Sequence, residues 1–225
     1  TLQDLDNLHT ASLIAGLPVA VCFNCLFSFR AQQLKEELVA GKYGKIKRVK
    51  SLGAWARSEV YFSRNEWAGA LKKDGKWVLD GDINNPLAHV VCNGLFFAGR
   101  DQLSLANPVT VQAELYRANL IESEDTSAIR IQTEEGIEIL SWLTLASEEV
   151  IEPFTVVETE KAMIKLIDFH QVEITFNDGS VEFRDSYKEN RIEMIEHLCR
   201  TLRSDEPMIG ALENIRPFTL CINAA

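Results

Sequence analysis

The sequence has 225 residues, of which 46% are hydrophobic, and this is enough apolar material for a sizeable folded core. Its formal net charge of −10 argues against a nucleic acid or an anionic membrane surface as the main partner. No apolar run reaches the ~20 residues that a membrane span needs, and an odd number of cysteines without an N-glycosylation sequon is typical of the reducing cytoplasm.

The first 45 residues are predicted to form a helix, a buried strand and a second helix. The first helix covers Thr1–Ala15 and ends at Gly16. The apolar run Pro18–Asn24 has the length and composition of a central parallel strand that is covered on both faces. With a helix over Phe29–Ala40, this makes one unit of a doubly wound α/β sheet. Since one unit cannot stand alone, we expect residues 1–45 to be the end of a domain that begins upstream.

A buried helix is predicted in the apolar stretch Trp77–Gly99. Asn85 stands at the expected N-cap, and Pro86 suits the first helical position because its fixed φ favours the turn. At 3.6 residues per turn, Asn85, His89 and Asn93 share one face of this helix. Buried polar side chains need partners or a ligand, so this face is a candidate site.

The pattern leaves two interpretations of His89. The positive end of the helix dipole should lower the pKa of its imidazole, which could then donate or accept a proton. Alternatively, His89 is a core histidine with satisfied hydrogen bonds and Asn85 only caps the helix, and the pattern by itself favours this interpretation. The other histidines, His9, His170 and His197, are expected on the surface.

From residue 45 onward, apolar and polar residues alternate in a series of strands. Lys45–Arg57 is the first and longest, and tight turns are predicted at Glu134–Gly136 and Asn177–Gly179. Such strands predict an α/β protein with an open, mainly antiparallel sheet and helices on one face. The later strands are predicted at Val109–Ala118, Ser127–Thr133, Ile137–Ala146, Phe154–Glu160, Met163–Ile167, Val172–Phe176 and Val181–Arg184.

The C-terminal region is predicted to be helical. A capping box at Ser186–Glu189 starts a helix, and a last helix begins near Ile209 or Gly210 and is bent or restarted at Pro217. The first of these helices is expected to bury an apolar stripe, made of Ile192, Ile195, Leu198, Cys199 and Leu202.

Two further groups of residues could carry chemistry. Cys22 and Cys25 have the spacing of a zinc or redox pair, but there is no second ligand pair and no helix start at this point, so core packing is expected and no metal is predicted. Arg64, Asn65 and Trp67 form a polar and aromatic loop that either lines a pocket for a hydroxyl-rich ligand or braces the loop. The sequence contains none of the common glycine-rich nucleotide-binding motifs.

The order of several short motifs resembles the family of glucose–fructose oxidoreductase and inositol dehydrogenase (Gfo/Idh/MocA). Each motif is short, but together they extend over essentially the whole chain. They are Gly41-x-x-Gly44-Lys-Ile, Tyr61-Phe-Ser-Arg-Asn-Glu-Trp-Ala-Gly69, the helix with His89, Ile121-Glu-Ser-Glu-Asp-Thr126, Thr133-Glu-Glu-Gly136 and Pro217-x-x-Leu-x-x-Asn223-Ala-Ala.

The resemblance implies two domains. Residues 1–45 would be the terminal unit of a truncated Rossmann-type domain, and residues 46–225 the domain for substrate binding and oligomerisation. NAD or NADP would bind in the intact protein, whose fingerprint and catalytic lysine lie upstream, and none is expected on this chain alone. A homo-oligomer through the open sheet face is also implied.

The family's Asp-x-x-x-His pair falls on Asn85 and His89, so the histidine matches and the aspartate does not. An amide can hold a sugar hydroxyl but cannot take its proton, so acid–base chemistry would rest on His89. Asn85 is kept as a second catalytic candidate, while Asn93, Arg64 and Trp67 would bind the substrate.

The resemblance therefore favours the C-terminal part of an NAD(P)-dependent oxidoreductase that acts on a sugar, polyol or related hydroxy compound. This chain alone should be inactive. The alternative is a non-catalytic sugar-binding or dimerisation module derived from the same family.

Overall fold

A computed structural model of the chain describes residues 1–185, 190–204 and 206–225. Its main feature is an eight-stranded sheet with one long buried helix across its inner face. The helices are α1 (Leu2–Ala15), α2 (Phe29–Val39), α3 (Glu59–Phe62), α4 (Ala88–Ala98), α5 (Asn190–Thr201) and α6 (Leu212–Ala224). The strands are β1 (Ile46–Ala56), β2 (Lys72–Lys73), β3 (Lys76–Trp77), β4 (Pro108–Tyr116), β5 (Thr126–Thr133), β6 (Glu138–Thr144), β7 (Ala146–Thr159), β8 (Ala162–Ile167), β9 (Gln171–Phe176) and β10 (Val181–Arg184).

The large sheet has the order β10-β9-β8-β7-β1-β6-β5-β4. All neighbouring strands are antiparallel except β1 and β6, which are parallel. The tight turns at Gly136 and Gly179 are present, and both glycines have the positive φ that such turns require. The predicted open, mainly antiparallel sheet is therefore confirmed.

The two faces of the sheet differ as period-two alternation predicts. On the inner face Val49, Ile139, Ile164 and Ile174 are fully buried. Helix α4 packs closely on this face at Gly53, because this residue has no side chain: a Cβ placed there would lie only 3.2 Å from Leu87 Cδ2. The opposite face carries no helix within the described part of the chain, which agrees with a sheet covered on one side.

The predicted strand at Pro18–Asn24 is wrong. Ala20 forms a single bridge with Ala211, and the chain turns into a 3-10 helix at Asn24–Phe27. A strand needs a neighbour along its length, and here the Val21 N–H donates only to the carbonyl of Gly210, at 2.8 Å. Only Phe23 of this run is buried in the core, while Pro18 and Cys22 are exposed.

Both helices that flank this segment are confirmed. Thr1 and Asp4 form the capping box of α1, and Gly16 ends the helix with a φ of 64°. Helix α1 packs on α6, and the 3-10 helix packs on α5. The division into domains at residues 1–45 and 46–225 stays a prediction.

Helix α5 does not bury the predicted apolar stripe. Ile192, Ile195 and Leu202 are about half exposed or more, whereas Asn190 and His197 are buried. His197 Nε2 accepts the Ile209 N–H at 3.0 Å, and the ring lies 5.5 Å from that of Phe27. These contacts turn the polar side of α5 inward.

The placement of His197 on the surface was thus wrong, because its ring nitrogens satisfy the loop that follows α5. The capping box predicted at Ser186–Glu189 lies outside the described residues. The last helix starts at Leu212 and includes the buried Pro217 without interruption. No helix among the described residues is long and apolar enough to cross a membrane.

Candidate functional site

Helix α4 begins at Ala88, so Asn85 is not its N-cap as predicted. Leu87 occupies that position and makes no side-chain capping bond. The chain already turns before the helix, because the Asn85 N–H donates to the Gly81 carbonyl and the Leu87 N–H donates to the Asp82 carbonyl. Asn85 lies in this turn, and its side chain is free for another partner.

That partner is Asp80. Asn85 Nδ2 donates to Asp80 Oδ1 at 2.6 Å, and the Gly69 N–H donates to Asp80 Oδ2 at 2.8 Å. Arg64 Nη2 lies 3.9 Å from the same carboxylate oxygen. Asp80 therefore joins the loop that carries Arg64 to the start of α4. The sequence analysis did not single out Asp80, although two aspartates flanking Gly81 beside an apolar helix were a usable signal.

His89 lies in the first turn of α4, half-buried between two aromatic rings. The Phe23 ring stands edge-on at 5.3 Å, and the Phe169 ring lies at 6.2 Å. Burial lowers the pKa of the imidazole, so the ring is neutral at neutral pH. The predicted direction of the pKa shift is confirmed, with burial as its cause. Nδ1 is buried and has no hydrogen-bond partner among the described residues, so its hydrogen-bonding capacity is unused.

Asn93 continues the polar face one helical turn further on. Its side chain is fully buried, and neither amide atom has a hydrogen-bond partner in the described part of the chain. A fully buried amide with both groups unpaired costs free energy unless water or a ligand enters. The three residues of the predicted face thus differ: Asn85 is occupied by Asp80, while His89 and Asn93 have unused hydrogen-bonding capacity.

The loop between β1 and β2 holds Arg64 and Trp67 close together. The Arg64 guanidinium lies 3.7 Å from the Tyr61 ring centroid and 5.1 Å from that of Trp67. Asn65 Oδ1 accepts the N–H groups of Trp67 and Ala68, so Asn65 braces the loop. Trp67 is 41% exposed and can meet a ligand. The structure therefore brings Arg64, Asn85 and the start of α4 together through Asp80.

Buried carboxyl groups surround the turn that precedes α4. Asp82 is fully buried, and burial raises the pKa of its carboxyl to about 7. Ser127 Oγ donates to Asp82 Oδ2 at 2.9 Å, while Oδ1 has no partner among the described residues. Glu124 covers Gly81, because a Cβ at this glycine would lie 1.5 Å from Glu124 Oε1. No group of side chains in the described ranges could hold a metal ion.

The two cysteines of the predicted pair differ in environment. Cys25 is fully buried beside α4, and burial raises the pKa of its thiol, as expected for core packing. Cys22 is exposed, so the expectation of core packing was wrong for this residue, because the segment before the 3-10 helix lies at the surface. Both thiols are free.

A groove of about 620 Å³ lies on another side of the Arg64 loop, toward residues 119–122. Glu59, Glu66 and Glu122 contribute to its lining. None of the residues on the predicted face of α4 lines it. The candidate site is therefore a set of side chains around the start of α4 and does not coincide with this groove.

Comparison with known proteins places the fold. No protein-family model matches the chain, and no curated protein matches it by sequence. Among solved structures, the aldose–aldose oxidoreductase of Caulobacter crescentus in complex with glycerol matches with a TM-score of 0.80 and 14% identity. The WlbA dehydrogenase of Bordetella pertussis in complex with NADH and UDP-GlcNAcA matches with 0.76 and 18%, and an inositol dehydrogenase homologue of Azotobacter vinelandii with NADH and myo-inositol matches with 0.76 and 13%.

Each of these matches covers the whole of this chain but only 64% to 67% of the other protein. The chain thus spans about two thirds of the length of the oxidoreductases that it matches. The comparison shows that the chain has the fold of the C-terminal part of an oxidoreductase. More specifically, this fold is of the glucose–fructose oxidoreductase and inositol dehydrogenase type. The resemblance seen in the sequence motifs is therefore confirmed at the level of fold.

Proposed function

We propose that the chain is the C-terminal, substrate-binding part of an NAD(P)-dependent oxidoreductase that acts on a sugar, polyol or related hydroxy compound. The observation that carries the proposal is His89, a neutral, half-buried imidazole with an unused Nδ1 at the start of a buried helix, in this fold. Residues 1–45 would be the end of a Rossmann-type domain, and residues 46–225 the substrate domain.

The residues of this chain do not fit the pyrophosphate of a dinucleotide. Such a group needs glycine-rich backbone at an open helix start, and no Gly-x-Gly-x-x-Gly occurs in the sequence. The residues before α2 and α4, Ser28 and Leu87, are fully buried. We therefore assign the NAD(P) site to another part of the protein and derive no step through the cofactor.

The proposed task of this chain is to hold the substrate and move its hydroxyl proton. Neutral His89 accepts the proton of a substrate hydroxyl at a ring nitrogen, while Arg64 and Trp67 supply a charged and an aromatic wall. Asn85, held by Asp80, orients the substrate. The assignment of Asn93 to substrate binding stays a prediction, and because its side chain is fully buried, a substrate must enter the protein interior to touch it.

The test is a kinetic comparison in the full natural protein that contains this chain. His89→Asn should lower kcat for NAD(P)-dependent oxidation of a polyol or sugar by about 10²–10⁴-fold, because the variant loses the proton acceptor. His9→Asn, on α1, is the matched control and should leave kcat unchanged. The proposal fails if the two variants turn over equally well.

A second candidate is a sugar-binding or dimerisation module without catalysis. It is favoured by Asn85, which replaces the family's aspartate and is already occupied by Asp80 at 2.6 Å. Binding of a sugar that His89→Asn leaves unchanged, together with no reduction of NAD(P) by the full protein, would support this module and exclude the enzyme.

We further propose that the protein forms a homo-oligomer through its open sheet face and works in the cytoplasm. The uncovered face of the sheet supports the proposed homo-oligomer, because it exposes apolar side chains such as Trp142 and Met163.

A further inference from the structure

Five side chains at the end of β1 and in the loop that follows alternate between aromatic and cationic groups. They are Trp55, Arg57, Tyr61, Arg64 and Trp67, and we call them the cation–aromatic stack. The Arg57 guanidinium lies 5.1 Å from the Trp55 ring centroid and 4.9 Å from that of Tyr61. Arg64 lies against the same Tyr61 ring and against Trp67. The guanidinium groups of Arg57 and Arg64 thus both lie close to the same tyrosine ring, at 4.9 Å and 3.7 Å from its centroid.

Arg57 is half-buried and has no anionic partner in the described part of the chain. No carboxylate of these residues lies within ion-pair distance of it, and its Nε is buried without a hydrogen-bond acceptor. Among the described residues, its side chain makes one hydrogen bond, from Nη1 to the neighbouring Ala56 carbonyl at 3.3 Å. A protein with ten excess negative charges has many carboxylates to offer, so an unpaired arginine fixed between two rings points to an external anion.

The carboxylates near the stack are engaged or directed elsewhere. Asp80 accepts hydrogen bonds from Gly69 and Asn85 and forms a long ion pair with Arg64, at 3.9 Å, but none with Arg57. Glu66 forms an ion pair with Lys73. Glu152 accepts the Trp55 indole N–H at 3.3 Å. Glu59 forms no ion pair with either arginine in the described ranges and lines the groove toward residues 119–122. Two like charges held around one ring repel each other, and an oxyanion between them relieves that repulsion.

The stack is connected in two ways to the start of α4, the helix that carries His89. A Cβ placed on Gly53 of β1 would lie 3.2 Å from Leu87 Cδ2 and 3.6 Å from Val90 Cγ2, and Trp55 and Arg57 follow Gly53 within four residues. Arg64 Nη2 lies 3.9 Å from Asp80, which accepts a hydrogen bond from Asn85 in the turn before α4. These two connections are the reason for assigning the stack to the substrate of His89.

We propose that the cation–aromatic stack binds an anionic group of the substrate, a phosphate or a carboxylate, so that the substrate is an acidic or phosphorylated sugar rather than a neutral polyol. This inference rests on the proposed function for its assignment to the substrate. Guanidinium groups bind both oxyanions in a bidentate manner, and stacking on tyrosine and tryptophan holds them in place before the ligand arrives.

The first experiment measures binding of inorganic phosphate to the full protein by calorimetry, without any cofactor. Arg57→Gln and Arg64→Gln should each weaken binding at least tenfold, and Arg57→Lys should weaken it less because the charge remains. Arg100→Gln, an exposed arginine at the far end of α4, is the matched control and should bind as the wild type does. Circular dichroism checks that each variant is folded.

The second experiment compares glucuronate, glucose 6-phosphate and glucose as ligands. Glucuronate or glucose 6-phosphate should bind at least tenfold more tightly than glucose, and the preference should disappear in Arg57→Gln; whichever of the two binds more tightly identifies the source of the anion. Equal binding of all three sugars, or phosphate binding that no stack variant changes, overturns the inference. Both experiments measure binding and not turnover, so they still test this inference if the dehydrogenase assay shows no activity.

Discussion

Asp82 is a carboxylate in an environment that disfavours its charge. It is fully buried, Glu124 and Asp125 add negative charge nearby, and among the described side chains Ser127 alone donates a hydrogen bond to it. Burial raises the pKa of Glu124 as well, and the nearby Asp80 carboxylate adds to this shift. The fold therefore holds several carboxyl groups where ionisation is costly, beside the start of the helix that carries His89.

A pH dependence of stability follows at this residue. The pKa of Asp82 rises from 3.8 in the unfolded chain to about 7 in the folded protein, so the folded state binds the extra proton between these values. The stabilisation of the folded state by this bound proton is complete below pH 3.8 and is lost as the pH rises to about 7. Each unit of pKa difference corresponds to about 1.4 kcal/mol in the free energy of unfolding. Asp82→Asn should therefore be a few kcal/mol more stable than the wild type above pH 7 and about equal at pH 4, in chemical denaturation.

The control for this prediction is Asp74→Asn, at the exposed turn between β2 and β3. It should leave the pH profile unchanged. The prediction fails if the free energy of unfolding of the wild type does not change between pH 3.8 and about 7, or if Asp82→Asn does not alter that change. Either result would show that Asp82 ionises normally in the folded protein.

The sequence was informative about single residues only where helical spacing applies. His89 could be found because it stands on an apolar helix at a four-residue spacing from two asparagines. Asp80, Asp82 and Arg57 were missed, because their significance depends on burial and on partners from distant segments. Asn85 lies in the turn before α4, but its assignment as the N-cap failed since the chain begins to turn at Gly81.

At the scale of elements, α4 is held at its C-terminal end by a lysine from another helix. Lys35 of α2 is fully buried, and its Nζ donates to the carbonyls of Phe96 and Gly99. These are among the carbonyls that a helix end leaves without partners. Burial lowers the pKa of Lys35 to about 7, and its protonated form interacts favourably with the negative end of the helix dipole. The lysine thereby fixes the axis of the helix that presents His89 at its other end.

Gly210 connects the N-terminal segment to the C-terminal helices. It has a φ of 75°, and a Cβ there would lie 2.7 Å from the Val21 carbonyl oxygen, so Gly210→Ala adds a clash with backbone to the strain of a left-handed conformation. We expect a loss of about 2–4 kcal/mol in the free energy of unfolding, measured by urea denaturation.

Gly179→Ala is the matched control, because Gly179 has a φ of 86° and open space around its Cβ position. It should cost only the conformational strain, about 1 kcal/mol. Equal losses in the two variants would mean that residues 18–24 are not fixed against Gly210.

Strands with period-two alternation were predicted well, whereas the short apolar run Pro18–Asn24 was not. β8, β9 and β10 agree with their predicted ranges to within a residue, since one buried face determines the pattern. The run Pro18–Asn24 fits a buried strand equally well as a sequence, but pairing needs a neighbouring strand, and the segment meets only Ala211. The inverted orientation of α5 could not be foreseen, because it depends on His197 bonding to Ile209 across a loop.

At the scale of the whole molecule, an apolar row crosses the open face of the sheet. Trp142, 44% exposed, pairs in register with Leu52 and Ala128, and Leu52 pairs with Phe154. Ion pairs flank the row, among them Arg48 with Glu138. An apolar centre with a charged rim is the composition of a protein–protein interface, which supports the proposed homo-oligomer.

Trp142→Glu should dissociate this oligomer. A carboxylate in the centre of the row loses its hydration when two faces meet, so we expect the dimer to weaken at least tenfold in light scattering over a dilution series. Leu13→Glu, 71% exposed on α1, is the control and should keep the wild-type mass. A wild type that is monomeric at high concentration, or a Trp142→Glu protein that stays dimeric, would contradict an interface on this face.

The position of β1 between β6 and β7 has a consequence for how the chain folds. β4, β5 and β6 can form a meander from local contacts, as can β7 to β10, but the two meanders hydrogen-bond to each other only through β1. β1 is made more than eighty residues before either partner, so joining them requires closing a long loop, which slows folding. During synthesis the middle strand leaves the ribosome first, and the sheet cannot become continuous until β7 has followed it.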